Sequence, residues 1–306
     1  MSPLRRRDFL KDLSGTALAL ALPLPVDKAA APAGFGLELG YAAITWGGKD
    51  RQAIEDIAAV GFHGIQLRTS VLAEYGDKPA ELRRILEEKG LQPLCFSSGS
   101  VEAVGQLAPQ IETHVGHARF VAALGGSFLQ LISTRPKDRA PTRQEFKFIG
   151  ALLTGIGTKT HDLGVRVVYH NHMHAFSESP EELARLLDLT DPRYVSLLLD
   201  VAHYAQGGGD PVAAVKRHRD RLAVVHLKDV IGPLPGATGD LRYSYKFVEL
   251  GRGRVDLPGV VGALKAVRFH GPAIVELDAP PEPEKTPKDC ALINKAYVTE
   301  KLGLAL

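Results

Sequence analysis

The sequence predicts a (β/α)8 barrel of the TIM-barrel class, and three observations predict it. Short apolar runs alternate with longer helical patterns through residues 34–306. Eight such runs occur, rich in Val, Ile and Leu and several of them apolar nearly throughout, as suits strands covered on both faces. Polar, chemically competent residues then gather at the carboxyl ends of the last four runs, the rim where barrels of this class carry their sites. A doubly wound open sheet has the same alternation, so strand number alone leaves it as the rival.

Taken in order, the expected strands are Leu39–Ile44, Gly64–Leu67, Gln92–Phe96, Phe128–Ile132, Arg166–His170, Val195–Asp200, Ala223–Lys228 and Ala273–Leu277. Helix starts punctuate them. Ser179-Pro180-Glu181-Glu182 offers an N-cap, a proline in the first turn and a capping-box glutamate. Asp210-Pro211 repeats the cap-then-proline device, and Asp77-Lys78-Pro79 is a weaker version. Gly90 and Gly164 stand where helices should stop. The longest irregular insertion, Val230 to Arg254, follows the seventh strand and holds Tyr243, Tyr245 and Phe247; loops at that end of a barrel shape the substrate mouth.

The first 33 residues are excluded from the fold. Arg5-Arg6-Arg7-Asp8-Phe9-Leu10-Lys11 precedes an apolar run, Leu13 to Leu24, and a small-residue zone around Ala29-Ala30-Ala31. This resembles a twin-arginine (Tat) export signal, which implies recognition by the Tat machinery, export of an already folded protein and a periplasmic location. The run is shorter than the ~20 residues that span a bilayer, so stable membrane insertion is not expected. Residues 34–306 form one catalytic domain in this reading. Five of the chain's 37 basic and three of its 35 acidic residues fall in the signal, so the body is charge-balanced. Nothing electrostatic then favours nucleic acid or anionic membrane as a partner. Two cysteines, Cys95 and Cys290, make no disulfide framework and no cysteine zinc site. Oligomeric state is left open, a homo-oligomer included.

The four polar strand ends read Tyr169-His170-Asn171-His172, Leu199-Asp200-Val201-Ala202-His203, His226-Leu227-Lys228-Asp229 and Val275-Glu276-Leu277-Asp278. Alternate residues of a strand share a face, so His170 with His172, His226 with Lys228 and Glu276 with Asp278 can each point into a barrel together. Imidazoles and carboxylates in this proportion suit a divalent cation such as Mn2+, Co2+, Zn2+ or Mg2+. The favoured ligands are His170, Asp200, His226 and Glu276, with His172 as the alternative on the fifth strand. Glu276 is the candidate base, and Lys228 and His203 are candidates for stabilising an oxyanion and returning a proton. Trp46 could stack on a sugar face, His172 could contact the substrate where it is not a ligand, and Arg252, in a Gly-Arg-Gly loop, could face an anionic group.

Leu198-Leu199-Asp200-Val201-Ala202-His203, Val225-His226-Leu227-Lys228-Asp229, Leu250-Gly251-Arg252-Gly253-Arg254-Val255-Asp256 and Ala273-Ile274-Val275-Glu276 resemble, in order and spacing, the xylose-isomerase-like TIM barrels. That family includes sugar-phosphate isomerases and epimerases, ketose 3-epimerases, inosose dehydratases and, more distantly, endonuclease IV. The likeness runs from about Leu39 to Asp278. It implies metal ligation by Asp200, His226 and Glu276 and a small carbohydrate as substrate. The family's epimerases have a glutamate where this chain has His170. Some relatives with Tyr-His-Asn-His on this strand also carry an acidic residue where this chain has Ala175, a departure that counts against a two-glutamate proton shuttle.

The leading expectation is a metal-dependent isomerase or epimerase acting through an enediolate on a free keto-sugar, cyclitol or oxidised glycoside. Export favours an unphosphorylated substrate. The alternatives are a dehydratase or lyase expelling a β-hydroxyl or β-glycosyl group, and a non-catalytic sugar-binding barrel. Endonuclease-like cleavage would need a trinuclear metal cluster and a basic groove, against which the balanced charge argues.

Overall fold

A computed structural model of the protein describes residues 35–306. The twin-arginine segment, the apolar run and the expected cleavage zone all lie outside the described residues.

The strands are β1 (Gly36–Ala42), β2 (Gly64–Arg68), β3 (Gln92–Glu102), β4 (Phe128–Thr134), β5 (Arg166–His170), β6 (Val195–Asp200), β7 (Leu222–Leu227), β8 (Asp229–Ile231), β9 (Lys246–Val248) and β10 (His270–Val275). All but β8 and β9 form one closed parallel barrel, in the order β1-β10-β7-β6-β5-β4-β3-β2. Pairing of Leu39 with Ala273 is part of the closing seam between β1 and β10, which rules out the open-sheet rival. The helices outside it include α1 (Asp50–Val60), α2 (Leu72–Tyr75), α3 (Pro79–Glu88), α4 (Leu107–Leu124), α5 (Arg143–His161), α6 (Pro180–Asp188), α7 (Val201–Gln206), α8 (Pro211–Arg217), α9 (Leu257–Ala266) and α10 (Pro287–Ala296).

The helix signals behave as the sequence predicts. Ser179 and Glu182 make a reciprocal capping box with Pro180 in the first turn of α6, and the Asp210 carboxylate accepts from the Val212 N–H. Lys78, by contrast, caps α3 with no side-chain bond. A second capping box, Thr142 with Glu145 at the start of α5, is one the sequence reading missed. Gly164 ends the turn after α5 with φ 72°.

Two regions differ from expectation by more than a shift of a few residues at a strand end. β3 runs six residues past Phe96 because Ser100, Val101 and Glu102 pair with Ile132, Ser133 and Thr134, after an irregularity beyond Ser97. Its polar Ser97-Ser98-Gly99-Ser100 stretch looks like a loop in sequence, but backbone pairing with β4 needs no apolar side chain. The 230–254 insertion is also less irregular than expected: β8 and β9 form an antiparallel hairpin, with Val230 opposite Phe247.

A small apolar cluster fills the barrel bore, and Val168, Leu198, Val224 and Ile274 belong to it. Each lies two residues before a predicted ligand: His170, Asp200, His226 and Glu276. The strand period of two therefore places all four polar side chains on the same inward face, just above an apolar floor. Cys95 is part of that floor; both cysteines are buried and free. Among the described residues no helix is long and apolar enough to cross a membrane.

Candidate metal centre

One ligand atom from each of His170, Asp200, His226 and Glu276 lies within 4.8 Å of the others, and all four residues are buried. His170 Nε2 is 3.5 Å and His226 Nδ1 3.6 Å from Asp200 Oδ2, and His226 Nδ1 is 3.2 Å from Glu276 Oε2. Donors on a tetrahedral ion with bonds of about 2.1 Å stand roughly 3.4 Å apart, so the spacing fits a small divalent cation. His170 Nε2, Asp200 Oδ2 and His226 Nδ1 are, moreover, buried polar atoms without a hydrogen-bond partner. Leaving a buried polar atom unpaired costs roughly 1–3 kcal/mol, and three such atoms facing one point are what a cation would satisfy. His172 is not in the set: its Nδ1 donates to the Met173 carbonyl.

The backbone fixes this convergence. Asn171, directly after β5, donates through Nδ2 to the Asp200 carbonyl at 3.0 Å, while its Oδ1 accepts from the Asp200 N–H at 2.9 Å. A side-chain amide thus continues the β5–β6 ladder for one more rung and sets His170 beside Asp200. The Glu276 N–H continues the β7–β10 ladder by donating to the Leu227 carbonyl at 3.0 Å. Asp200 also caps α7, its Oδ1 accepting from the His203 N–H at 2.8 Å, which leaves Oδ2 for the centre.

Lys228 is fully buried at the edge of the cluster. Its ammonium donates to Glu276 Oε1 at 3.0 Å and to Asp278 Oδ1 at 2.6 Å, and lies 4.0 Å from the centre of the Phe247 ring. A salt bridge to Asp229, its neighbour in sequence, does not form, because adjacent strand residues point to opposite faces. Asp229 instead accepts from the N–H groups of Val230, Gly251, Gly253 and Val255 and so folds the glycine loop. A Cβ on Gly253 would fall 2.1 Å from Asp229 Oδ1, which is why that position is glycine.

The electrostatics follow from burial against pairing. Burial alone would push His226 down, but Glu276 and Asp200 beside it raise it to about 9. Burial works to raise Glu276 and Asp200, yet each is held well below its usual range, Glu276 by His226 and Lys228 and Asp200 by the basic side chains around it. Burial opposes the Lys228 charge too, and the carboxylates of Glu276, Asp278 and Asp200 overcome it, so it stays protonated. Burial dominates at His172, pushed down to about 4, and at His203, held well below its usual value. His203 Nδ1 lies 3.2 Å from the Met173 N–H and Nε2 3.4 Å from the Lys228 ammonium; both partners are donors, and a neutral ring accepts at only one nitrogen.

Two predicted substrate contacts lie elsewhere. Trp46 is 3% exposed, packs edge-on against Tyr41 and donates to Asp56 at 2.9 Å, so it has no open face for a sugar. Arg252 is engaged by Glu249 at 3.1 Å and Glu282 at 3.4 Å. Aromatic side chains of the insertion lie nearer the cluster: Phe247 also sits against His203, with ring centres 4.8 Å apart, and Tyr243 stacks on His174 while donating to Glu178 at 2.6 Å. Asn171, Gln66 and Gln130 were missed by sequence reasoning. The only signal for the glutamines is a lone polar residue inside an otherwise apolar strand, Ile65-Gln66-Leu67 and Leu129-Gln130-Leu131.

A family model described as xylose isomerase-like TIM barrel matches residues 54–296. Inosose dehydratase of Lacticaseibacillus casei is 27% identical over 300 residues, covering 88% of this chain and 98% of that one. The rhizopine catabolism protein MocC of Rhizobium meliloti is 30% identical over 254 residues, 75% of each chain. Among solved structures, the IOLI protein with a binding zinc atom superposes with a TM-score of 0.74 at 18% identity, over 87% of this chain and 98% of that one. These relatives correct the expectation of an isomerase or epimerase: the curated protein matched over almost its whole length is a dehydratase. The residues could not separate the two, because both reactions begin by removing a proton next to a carbonyl. Closed barrel, metal-competent strand ends and a family match over most of the chain agree, and the protein belongs to the xylose isomerase-like TIM barrel family.

Proposed function

We infer that the protein is a divalent-metal-dependent dehydratase that removes water from a cyclic polyhydroxy ketone of the inosose type. The observation that carries this reading is the near full-length likeness to inosose dehydratases. Support comes from the buried His-Asp-His-Glu cluster with a protonated lysine beside it. In such a reaction a proton leaves the carbon next to the ketone, its electron pair forms a carbon–carbon double bond, and the β-hydroxyl departs with a proton as water.

A cation held by Asp200, His226, Glu276 and His170 would polarise the carbonyl oxygen and so acidify the neighbouring C–H. Glu276 is ionised and placed to receive that proton. Lys228, pinned between Glu276 and Asp278, opposes the negative charge that grows on the substrate oxygen. His203, beside Lys228 at the edge of the cluster, is the candidate donor for the departing hydroxyl. Phe247 and the β8–β9 hairpin wall this group on one side and limit water.

The test is to incubate the metal-loaded chain with inososes and with unphosphorylated keto-sugars in deuterated buffer, following loss of one water by mass spectrometry. Water loss from an inosose is expected. Deuterium uptake into recovered substrate or an epimer, with no dehydrated product, would overturn the reading.

The twin-arginine segment supports a further proposal, that the enzyme works after export and on an unphosphorylated substrate. A fusion of residues 1–33 to a folded reporter should leave the cytoplasm of Tat-competent cells and be retained in cells lacking the Tat translocase. Retention in both would reject it.

A further inference from the structure

Gln66 on β2 and Gln130 on β4 are buried, at 2% and 5% exposure, and they join the two histidines of the centre through the nitrogens that do not face it. His226 Nε2 lies 2.8 Å from Gln66 Oε1, Gln66 Nε2 lies 2.7 Å from Gln130 Oε1, and Gln130 Nε2 lies 2.8 Å from His170 Nδ1. Three short hydrogen bonds therefore run unbroken from one imidazole to the other.

The polarity of such a bridge is constrained by counting. Three bonds need three donors and three acceptors. Each primary amide supplies one N–H and one carbonyl oxygen, so the two amides provide two of each. The imidazoles at the ends must supply the remaining donor and the remaining acceptor. Exchanging oxygen and nitrogen in both amides reverses the direction without changing the count, and exchanging them in one amide sets like against like. A neutral imidazole that accepts at one nitrogen carries its proton on the other. With the bridge intact, then, one histidine offers the centre a lone pair and the other offers it an N–H. In the direction observed, His226 donates from Nε2 to Gln66 and keeps Nδ1 for ligation, whereas His170 accepts at Nδ1 and has its proton on Nε2, which faces Asp200 Oδ2 at 3.5 Å.

We propose that the Gln66–Gln130 bridge makes the metal centre unequal: Asp200, His226 and Glu276 are its permanent ligands, and His170 is a detachable fourth that binds only when a bond of the bridge opens. Gln66 and Gln130 are positioning residues, acting through the two imidazoles. The proposal rests on the reading of the cluster as a cation site but not on the reaction assigned to it. Its functional sense is that a ligand held weakly can give way to a hydroxy-ketone that arrives with two oxygens to place.

Gln130→Glu changes the polarity of the bridge while keeping its shape. A carboxylate accepts on both sides, from Gln66 Nε2 and from a proton on His170 Nδ1, so both imidazoles can then turn lone pairs toward the centre. Gln66→Glu does the same from the other end. The experiment measures Zn2+ affinity of the chelator-stripped full chain by competition with a chromophoric chelator, and reads the histidine tautomers from 15N chemical shifts of the metal-free protein. Circular dichroism checks the fold of each variant. In the unaltered protein His170 should carry its proton on Nε2; in Gln130→Glu it should carry it on Nδ1, with Zn2+ bound about tenfold more tightly or better. His170→Ala should lose less than about tenfold in affinity, and His226→Ala more than about a hundredfold.

The proposal is overturned if His170 of the unaltered protein is protonated on Nδ1. It is equally overturned if His170→Ala and His226→Ala lose the same affinity, a comparison that stands even should the glutamate variants not fold. Tighter Zn2+ binding by Gln130→Glu with no tautomer change would reflect added charge alone and also counts against it. Failure of the unaltered chain to bind Zn2+ at all would remove the cation site itself. Zn2+ binding with the expected tautomers but no dehydration would instead leave the bridge standing and reject only the assigned reaction.

Discussion

At the residue scale the centre is a set of charges and lone pairs whose separate costs cancel only in company. Glu276 is buried and ionised because His226 and Lys228 flank it. Glu276→Gln keeps the shape and removes both the base and a ligand charge. Turnover is expected to fall by about 10²–10⁴-fold, with the far-ultraviolet spectrum unchanged. Near-normal turnover would remove Glu276 from the mechanism.

His226 gives the centre a pH dependence whose sign can be worked out. In the metal-free protein its folded value, about 9, lies above its ordinary value of 6.5. Its contribution to stability is therefore fully present below pH 6.5, declines as the unfolded chain loses its proton while the folded chain keeps it, and is gone above about 9. Melting temperatures of chelator-treated protein should fall across that window. A divalent cation competes with the proton on Nδ1, so the stabilisation gained on adding metal should grow over the same interval. A metal increment independent of pH would mean that His226 is not a ligand.

At the scale of elements, two devices do separable work. The Ser179–Glu182 capping box fixes where α6 begins, directly after the loop carrying His172 and His174. Ser179→Ala should cost about 1 kcal/mol, read as a shift of the urea midpoint with unchanged slope. Since the ligands sit on or directly after strands and none is on α6, metal affinity should stay as it was. The β8–β9 hairpin behaves in the opposite way. It stands outside the barrel sheet, and it places Phe247 over the Lys228 ammonium and against His203. Phe247→Ala should lower kcat/KM about tenfold or more while moving the melting temperature little. A large loss of stability with intact kinetics would show that the hairpin serves the fold instead.

Much at this scale is legible in the sequence, and what is not has identifiable causes. The bounds of β5 and β6 follow from their apolar runs, and the caps of α6 and α8 follow from Ser and Asp placed just ahead of proline. The far half of β3 is hidden because serines carry no strand signal, and the pairing that orders them is made with β4, a segment beginning nearly thirty residues later. Trp46 shows the same limit at a site: an indole after a strand reads as a stacking platform until its N–H is seen spent on Asp56.

For the whole molecule, the cation site draws its candidate ligands from four strand ends that follow one another around the barrel. Binding only to the folded state stabilises it, by about 2.7 kcal/mol when free metal is a hundred times its dissociation constant. Stripping the metal should therefore lower the melting temperature, and Zn2+, Mn2+ or Co2+ should restore it in order of affinity. No shift with any divalent ion would sink the metal centre.

The sequence by itself determined the alternation of strands and helices, the four like-facing positions at the strand ends and their chemical type, because strand periodicity is local and each ligand lies two residues beyond an apolar floor residue. Only the tertiary structure decided that His170 rather than His172 joins the cluster, that Lys228 turns to Glu276 and Asp278 instead of Asp229, and that two glutamines link the histidines from behind. Those outcomes depend on distances between residues as far as 160 positions apart, which are set by barrel closure. The physical reason is that a side chain's identity is written in its own residue, whereas its partner is chosen by the packing of the whole chain.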